Sequence, residues 1–147
     1  MSRKALAIGA LSSLAGYHLR RASGAFALDF HEAMKGTGMR QVLVGILAIV
    51  EANPGVNQGA VGTALGIKRA NMVSLINELV DAGLVAREVS PGDRRAFSLT
   101  LTEAGEAMRK DCITRIQAHE EHMLAGLSAE ERAVLLKLLG RIEAKRA

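Results

Sequence analysis

The chain of 147 residues has a single cysteine, Cys112. One thiol cannot close an intramolecular disulfide, so the fold has to stand on its core, and a reducing, cytoplasmic setting is the expectation. Long apolar runs are missing too. The longest, Val42 to Val50, is nine residues and contains Gly45, far short of the roughly 20 that a membrane-spanning helix needs. No membrane partner is expected. Catalytic signatures are equally scarce: there is no glycine-rich phosphate loop, nucleophile elbow or paired His-Cys metal motif, and only His119-Glu120-Glu121-His122 gathers acid-base groups. The sequence therefore offers no case for an enzyme and requires no cofactor. Repeats and low-complexity tracts are absent as well.

What is present is 49% hydrophobic residues, enough for one domain's core, and a net charge of +4 that suits a polyanionic partner without proving one. The most informative stretch is Asn57 to Thr102. Asn57 is a natural helix N-cap, Ala60, Val61, Ala64 and Leu65 follow at helical spacing, and Gly66 closes the pattern. A second helix is predicted from Lys68 or Arg69, with Met72, Leu75, Ile76 and Leu79 on one face and Gly83 as its stop. Leu84 to Val89 and Phe97 to Leu101 then read as two strands of a hairpin, the second alternating Phe97, Leu99 and Leu101 against Ser98 and Thr100. Ser90-Pro91-Gly92-Asp93 forms the turn, with Arg94 and Arg95 at the tip.

Helix, turn, helix and wing is a winged helix-turn-helix, and the residue order resembles one family closely. Val56-Asn57-Gln58, Ala64-Leu65-Gly66-Ile67, Leu75-Ile76 and Gly83-Leu84-Val85 are similar to MarR-family transcriptional regulators, as are the wing patterns Asp93-Arg94-Arg95 and Leu101-Thr102-Glu103-Ala104-Gly105. Leu14-Ala15-Gly16-Tyr17-His18-Leu19-Arg20-Arg21 resembles that family's first helix. The resemblance implies a mainly α fold in one chain, residues 1–147. A winged DNA-binding lobe spans 39–102, and N- and C-terminal helical segments, 10–35 and 103–145, serve dimerisation.

Arg3 and Lys4 before Ala5 to Leu14 imitate a signal peptide, but two features argue against one. Leu11, Ala15, Leu19, Ala22, Phe26, Phe30 and Ala33 continue a single helical stripe through the supposed cleavage region, and Tyr17 stands where a lipoprotein signal needs cysteine. Residues 10–35 therefore read as one long amphipathic helix. Met39 to Ala52 is apolar nearly all round, so periodicity leaves helix and strand open; the resemblance implies helix. Asn53-Pro54-Gly55 ends it. Beyond the wing, Thr102 is placed to cap a helix to about Leu124, and Ser128 with Glu131 forms a capping box for a last helix to about Ala144. Leu124, Leu127, Val134, Leu135, Leu138 and Ile142 are more apolar surface than one small domain covers, which points to a homodimer. Two-fold symmetry then asks for a near-palindromic site in double-stranded DNA, with half-sites roughly 34 Å apart.

Lys68 and Arg69 stand where a recognition helix meets base edges or phosphates. Asn71, Ser74 and Asn77 point away from the apolar stripe, and an outward Asn can pair with adenine. Asn57 and Gln58 sit at a helix N-terminus that favours a phosphate, with simple capping as the alternative. Arg94 and Arg95 at the hairpin tip suit a narrow minor groove. By the resemblance, Asp93 holds a wing arginine in place rather than touching DNA. The resemblance also implies repression and a small-molecule effector bound between the dimer helices and the lobe. The candidates there are Tyr17, His18, Arg21, Phe26, Phe30, Met34 and Met39, a lining that suits an aromatic acid, a related anion or a thioester, unless the Phe and Met side chains are ordinary core. Three alternatives remain: peroxide sensing at Cys112, metal sensing at His119 and His122 with His18 or His31, or a winged module for protein contacts.

Overall fold

The computed structural model describes residues 4–89, 92 and 97–146. Its elements run α1 (Ala15–Ala33), α2 (Gln41–Ala52), β1 (Val56–Asn57), α3 (Gln58–Leu65), α4 (Arg69–Asp81), β2 (Val85–Val89), β3 (Phe97–Leu101), α5 (Glu103–Met123) and α6 (Ala129–Glu143). The fold is mainly helical with a small antiparallel sheet, a winged helix-turn-helix. By contacts the chain divides into a lobe, Ala33–Ala118, and a helical unit made of the chain up to Glu32 and from His119 onward.

The lobe is built around α2. Leu43, Val44, Ile46, Leu47 and Val50 are all buried, which is why that stretch shows no polar face for periodicity to detect. Each such side chain contributes about 1.5–3 kcal/mol through burial. Packed with them are Val61 of α3, Met72, Ile76 and Leu79 of α4, and Leu99 of β3. The two helices of the motif approach closely at Gly62, where a Cβ would stand 2.8 Å from the Met72 Cγ. Gly66 turns the chain between them in the left-handed region, φ +67°, a conformation that glycine adopts without a steric penalty.

The hairpin turns out to be one side of a three-stranded sheet of order β1-β3-β2. Val56 and Asn57 pair with Leu99 and Ser98, and Gly55 N donates to the Leu99 carbonyl at 2.8 Å. Two residues are too few to show an alternation, so nothing local announces this strand; pairing with β3 creates it. The wing residues Asp93, Arg94 and Arg95 lie outside the described residues.

Where β3 gives way to α5, several constraints meet. Thr102 N donates to the Leu84 carbonyl at 3.1 Å, its Oγ1 donates to the Gly83 carbonyl at 2.6 Å, and the same oxygen accepts from Gly105 N at 3.0 Å as the helix cap. A Cβ on Gly105 would overlap the Leu84 carbonyl. The Leu-Thr-x-x-Gly pattern is thus a docking device: threonine ties α5 to the α4–β2 corner, and glycine lets the backbones touch.

In the helical unit, Ser128 and Glu131 make the reciprocal capping box expected of α6. Arg132 bonds Glu121 at 2.7 Å and the Leu124 carbonyl at 3.0 Å, fixing the turn before it. One expectation needs correction. Residues 10–35 are not a single helix: a 3-10 segment over Gly9–Ser13 precedes α1, with Leu14 extended at φ −96°, ψ 108°. The Ser12 and Ser13 hydroxyls donate to the carbonyls of Gly9 and Ala10, local bonds that compete with the α-helical ladder. Neither α1 nor α6 contains a buried residue; Leu28 and Leu136 are 75% and 72% exposed. No helix among the described residues is long and apolar enough to cross a membrane.

Gly105→Ala is expected to lower stability by about 3 kcal/mol through backbone overlap, and Thr102→Val by about 1–2 kcal/mol through loss of the cap. Urea denaturation midpoints measure both. An alanine at 105 with the parental midpoint would contradict the docking geometry.

Candidate nucleic-acid interface

α4 is amphipathic in the sense a reading helix requires. Met72, Ile76 and Leu79 are buried and Leu75 half-buried, while Lys68, Arg69, Asn71, Ser74 and Asn77 are exposed. Lys68 is the N-cap residue, with extended backbone and no side-chain capping bond, so its side chain is not engaged by the helix end. An open concavity of about 520 Å³ lies beside this end of α4, lined among others by Asn57, Gln58, Thr63, Arg69, Val73 and Phe97. Two sequence candidates have their oxygens turned inward there. Asn57 Oδ1 accepts from Gly59 N at 2.7 Å and Ala60 N at 3.2 Å, so its carbonyl is used for capping. Gln58 Oε1 is buried without a donor among the described residues, an acceptor that ordered water can satisfy.

Two side-chain pairs that sequence reasoning missed hold α4 from its flanks. Arg40, just before α2, grips Glu78 through two parallel bonds of 2.7 and 2.9 Å. The bidentate geometry raises the arginine pKa and lowers that of Glu78, chiefly through the hydrogen bond itself. Glu78 therefore adds stability above the usual carboxylate range, and that part is lost as pH falls through its lowered pKa. The second pair is on the wing side. Arg87 of β2 lies 5.0 Å from the Phe97 ring centroid and donates to Asn77 Oδ1 at 2.7 Å. An arginine between Val85 and Val89 on a period of two was the available signal, since it marks a charge on the strand face that also carries Val85. Asn77 is exposed on the face away from the apolar stripe, and its oxygen is tied to the wing root.

The effector candidates divide between the two units. In the helical unit Tyr17, Phe26 and Phe30 are half-buried, and His18 and Arg21 exposed; His18 bonds the Ser12 carbonyl at 3.0 Å. In the lobe Met34 and Met39 are buried. A group not foreseen there is His119, buried in the helical unit with Nδ1 2.5 Å from Asp29 Oδ2 and edge-on to Phe26 and Phe30 at 5.3 and 5.8 Å. Phe26, Asp29 and Phe30 share a face of α1, but their partner is 90 residues on from Asp29, beyond any local pattern.

Comparison with known proteins settles the class. The MarR family model matches residues 38–96, which fall within the lobe. Over 135 residues the chain is 32% identical to a putative transcriptional regulatory protein for the hcr operon of Thauera aromatica, spanning 91% of this chain and 81% of that one. The chain belongs to the MarR family. Among solved structures, the transcriptional repressor CouR bound to a 23-mer DNA duplex is similar at 34% identity and a TM-score of 0.90, over 95% of this chain and 99% of that one. CouR bound to p-coumaroyl-CoA matches at 32% and 0.83, over 95% and 98%. This MarR-family chain is thus a transcriptional regulator whose relatives are regulators rather than enzymes.

Within this MarR-family chain, the two rival sensing chemistries find little support in the geometry. Cys112 is fully buried in the lobe. Desolvation first, then the Asp111 charge, pushes its thiol pKa up, against a smaller opposing effect of Arg115. Arg115 is already engaged with Asp111 at 3.0 Å and the Ala33 carbonyl at 3.1 Å. A peroxide sensor needs the reverse, an accessible thiol with a lowered pKa. His119 and His122, with side chains 3% and 74% exposed, both face the Asp29 carboxylate, at 2.5 and 3.8 Å, but no group of three His, Cys, Asp or Glu among the described residues is placed to hold a metal. Cys112 in the native protein should react with a thiol-specific disulfide reagent at least about 100-fold more slowly than after denaturation. Rapid native labelling would reopen the peroxide reading.

Proposed function

We propose that the protein is a homodimeric repressor, not an enzyme, that reads a near-palindromic operator with α4 and is released by a small aromatic acid or an aromatic acyl thioester. The observation that carries the DNA reading is the outward face of α4. Its Lys68 and Arg69 are exposed at the helix start while Met72, Ile76 and Leu79 anchor the opposite side. Lys68, Arg69, Asn71 and Ser74 are assigned to the major groove, Asn57 and Gln58 to the flanking phosphates through the start of α3 and the Gln58 amide, and Arg94 and Arg95 to the minor groove with Asp93 as their support. The likeness to CouR on a DNA duplex supports this assignment.

Dimerisation is supported by the apolar surface left open in the helical unit. Val134, Leu136, Leu138 and Ile142 of α6 are each exposed by 45% or more, as are Leu14 and Leu28, a density of uncovered apolar side chains that a monomer in water rarely carries. The likeness to CouR bound to p-coumaroyl-CoA supports a thioester or its parent acid as effector, with Tyr17, His18, Arg21, Phe26 and Phe30 as candidate contacts. A ligand that binds better to a form in which the two α4 helices do not fit the operator draws the population away from DNA.

Fluorescence anisotropy on duplex DNA from upstream of the protein's own gene, beside a scrambled duplex and at several salt concentrations, tests the reading. Expected are selective, salt-sensitive binding and its reversal by an aromatic acyl thioester or the free acid. Leu138→Glu with Ile142→Glu should give a monomer in sedimentation velocity and lower operator affinity by about 100-fold or more, since one lobe then binds without its partner. Selective binding by a monomeric variant at parental affinity would rule out the dimeric mode.

A further inference from the structure

β2 places an arginine where the strand's alternation asks for an apolar residue. Arg87 shares a face with Val85 and sits in register with Leu99, which are 3% and 0% exposed. Arg87 itself is half-buried, because this face opens to solvent toward Val89, which is 54% exposed. Here its plane lies by the Phe97 ring at 5.0 Å, and one nitrogen reaches Asn77 Oδ1 at 2.7 Å.

The identity of the acceptor atom follows from elementary chemistry. Guanidinium has five donors and no lone pair to offer, whereas a primary amide has an accepting end and a donating end. The end of Asn77 that faces Arg87 must be its oxygen. The end that faces away is then the NH2 group, on an exposed residue one turn beyond Val73 and Ser74, which are exposed too. An asparagine without such a partner can turn either end outward, and binding would have to select one.

We propose that Arg87 is a positioning residue for DNA recognition: it locks the Asn77 amide with its NH2 group outward, so that Asn77 donates to an acceptor atom on the DNA, a phosphate oxygen or a base-edge acceptor. This rests on the reading of α4 as the recognition helix. Arg87 itself touches no DNA. Phe97 holds the guanidinium in place and thereby links the wing root to the reading face. The gain is preorganisation, since the side chain is ordered before the DNA arrives.

The test uses the full chain and a duplex obtained by selection from random sequence, with affinity measured at several salt concentrations for the wild type and for Arg87→Met, Arg87→Lys, Asn77→Ala, the Arg87→Met/Asn77→Ala double variant and Arg69→Ala. Methionine keeps an unbranched chain over Phe97, and thermal melting verifies that each variant is folded. Arg87→Met is expected to weaken binding by about 5- to 10-fold. The double variant should be no weaker than Asn77→Ala, and Arg87→Lys, which retains a donor, should recover most of the loss. The slope of log affinity against log salt should be the same for Arg87→Met as for the wild type. If Asn77 meets a base edge, the loss is confined to the selected duplex; if it meets a phosphate, a scrambled duplex loses in the same proportion.

Three results would overturn the proposal: parental affinity in Arg87→Met, additive losses in the double variant, or a salt slope smaller by about one in Arg87→Met, the mark of a direct phosphate contact. Arg69→Ala separates this from the reading beneath it. Loss in Arg69→Ala beside parental binding in Arg87→Met defeats the proposal alone, while no selective binding by the wild type defeats the DNA reading and the proposal with it.

Discussion

The lobe depends on the knot where Thr102 and Gly105 meet Gly83 and Leu84. Three segments end or begin there: the stop of α4, the strand β2 and the start of α5. The Thr102 hydroxyl donates to the Gly83 carbonyl and accepts from Gly105 N, while its own N–H satisfies the Leu84 carbonyl. Leu84 N in turn bonds the Leu79 carbonyl at 3.0 Å, so the last turn of α4 is connected to α5 through successive backbone groups. A side chain at position 105 would separate these layers. Since the register of β2 against β3 begins at this corner with Val85 opposite Leu101, the direction of the wing also follows from it.

Burial supplies the stability of the lobe, but polar pairs decide which way α4 faces. A helix anchored only by Met72, Ile76 and Leu79 retains some freedom to rotate about its axis, because apolar contact is not directional. Arg40 with Glu78 and Arg87 with Asn77 add directional contacts from two different elements. Both the Arg40–Glu78 ion pair and the Arg87–Asn77 hydrogen bond lie near the surface, where such contacts contribute little to stability. Their value is orientational, in keeping with a function that depends on where a few side chains point.

The two units solve opposite problems. The lobe closes its core with side chains of its own chain, whereas α1 and α6 of the helical unit leave leucines and valines open. An isolated unit of that kind is incomplete in water, and a second copy is the simplest source of what it lacks. The buried His119–Asp29 pair between Phe26 and Phe30 is the exception, a polar contact inside an otherwise apolar cluster.

Much of this was legible from residue order because it is governed by local chemistry. Asn57, Ser128 and Thr102 cap helices for reasons contained within three residues, Gly66 and Gly83 end helices by their backbone freedom, and the spacing of Met72, Ile76 and Leu79 fixes the buried side of α4. The outward set Lys68, Arg69, Asn71, Ser74 and Asn77 follows by subtraction. What the sequence by itself could not determine depends on partners far away in the chain. Met39 to Ala52 lacks a polar face, so only its packed surroundings distinguish helix from strand. Val56–Asn57 becomes a strand because Leu99 and Ser98 are there to pair with it. Asn77 commits its amide oxygen to Arg87, Glu78 its carboxylate to Arg40 from 38 residues away, and His119 finds Asp29 across 90. Local rules fixed the elements and their faces; only the tertiary structure decided which polar groups remain available to a ligand, because a side chain's free donors are those its distant neighbours have not already taken.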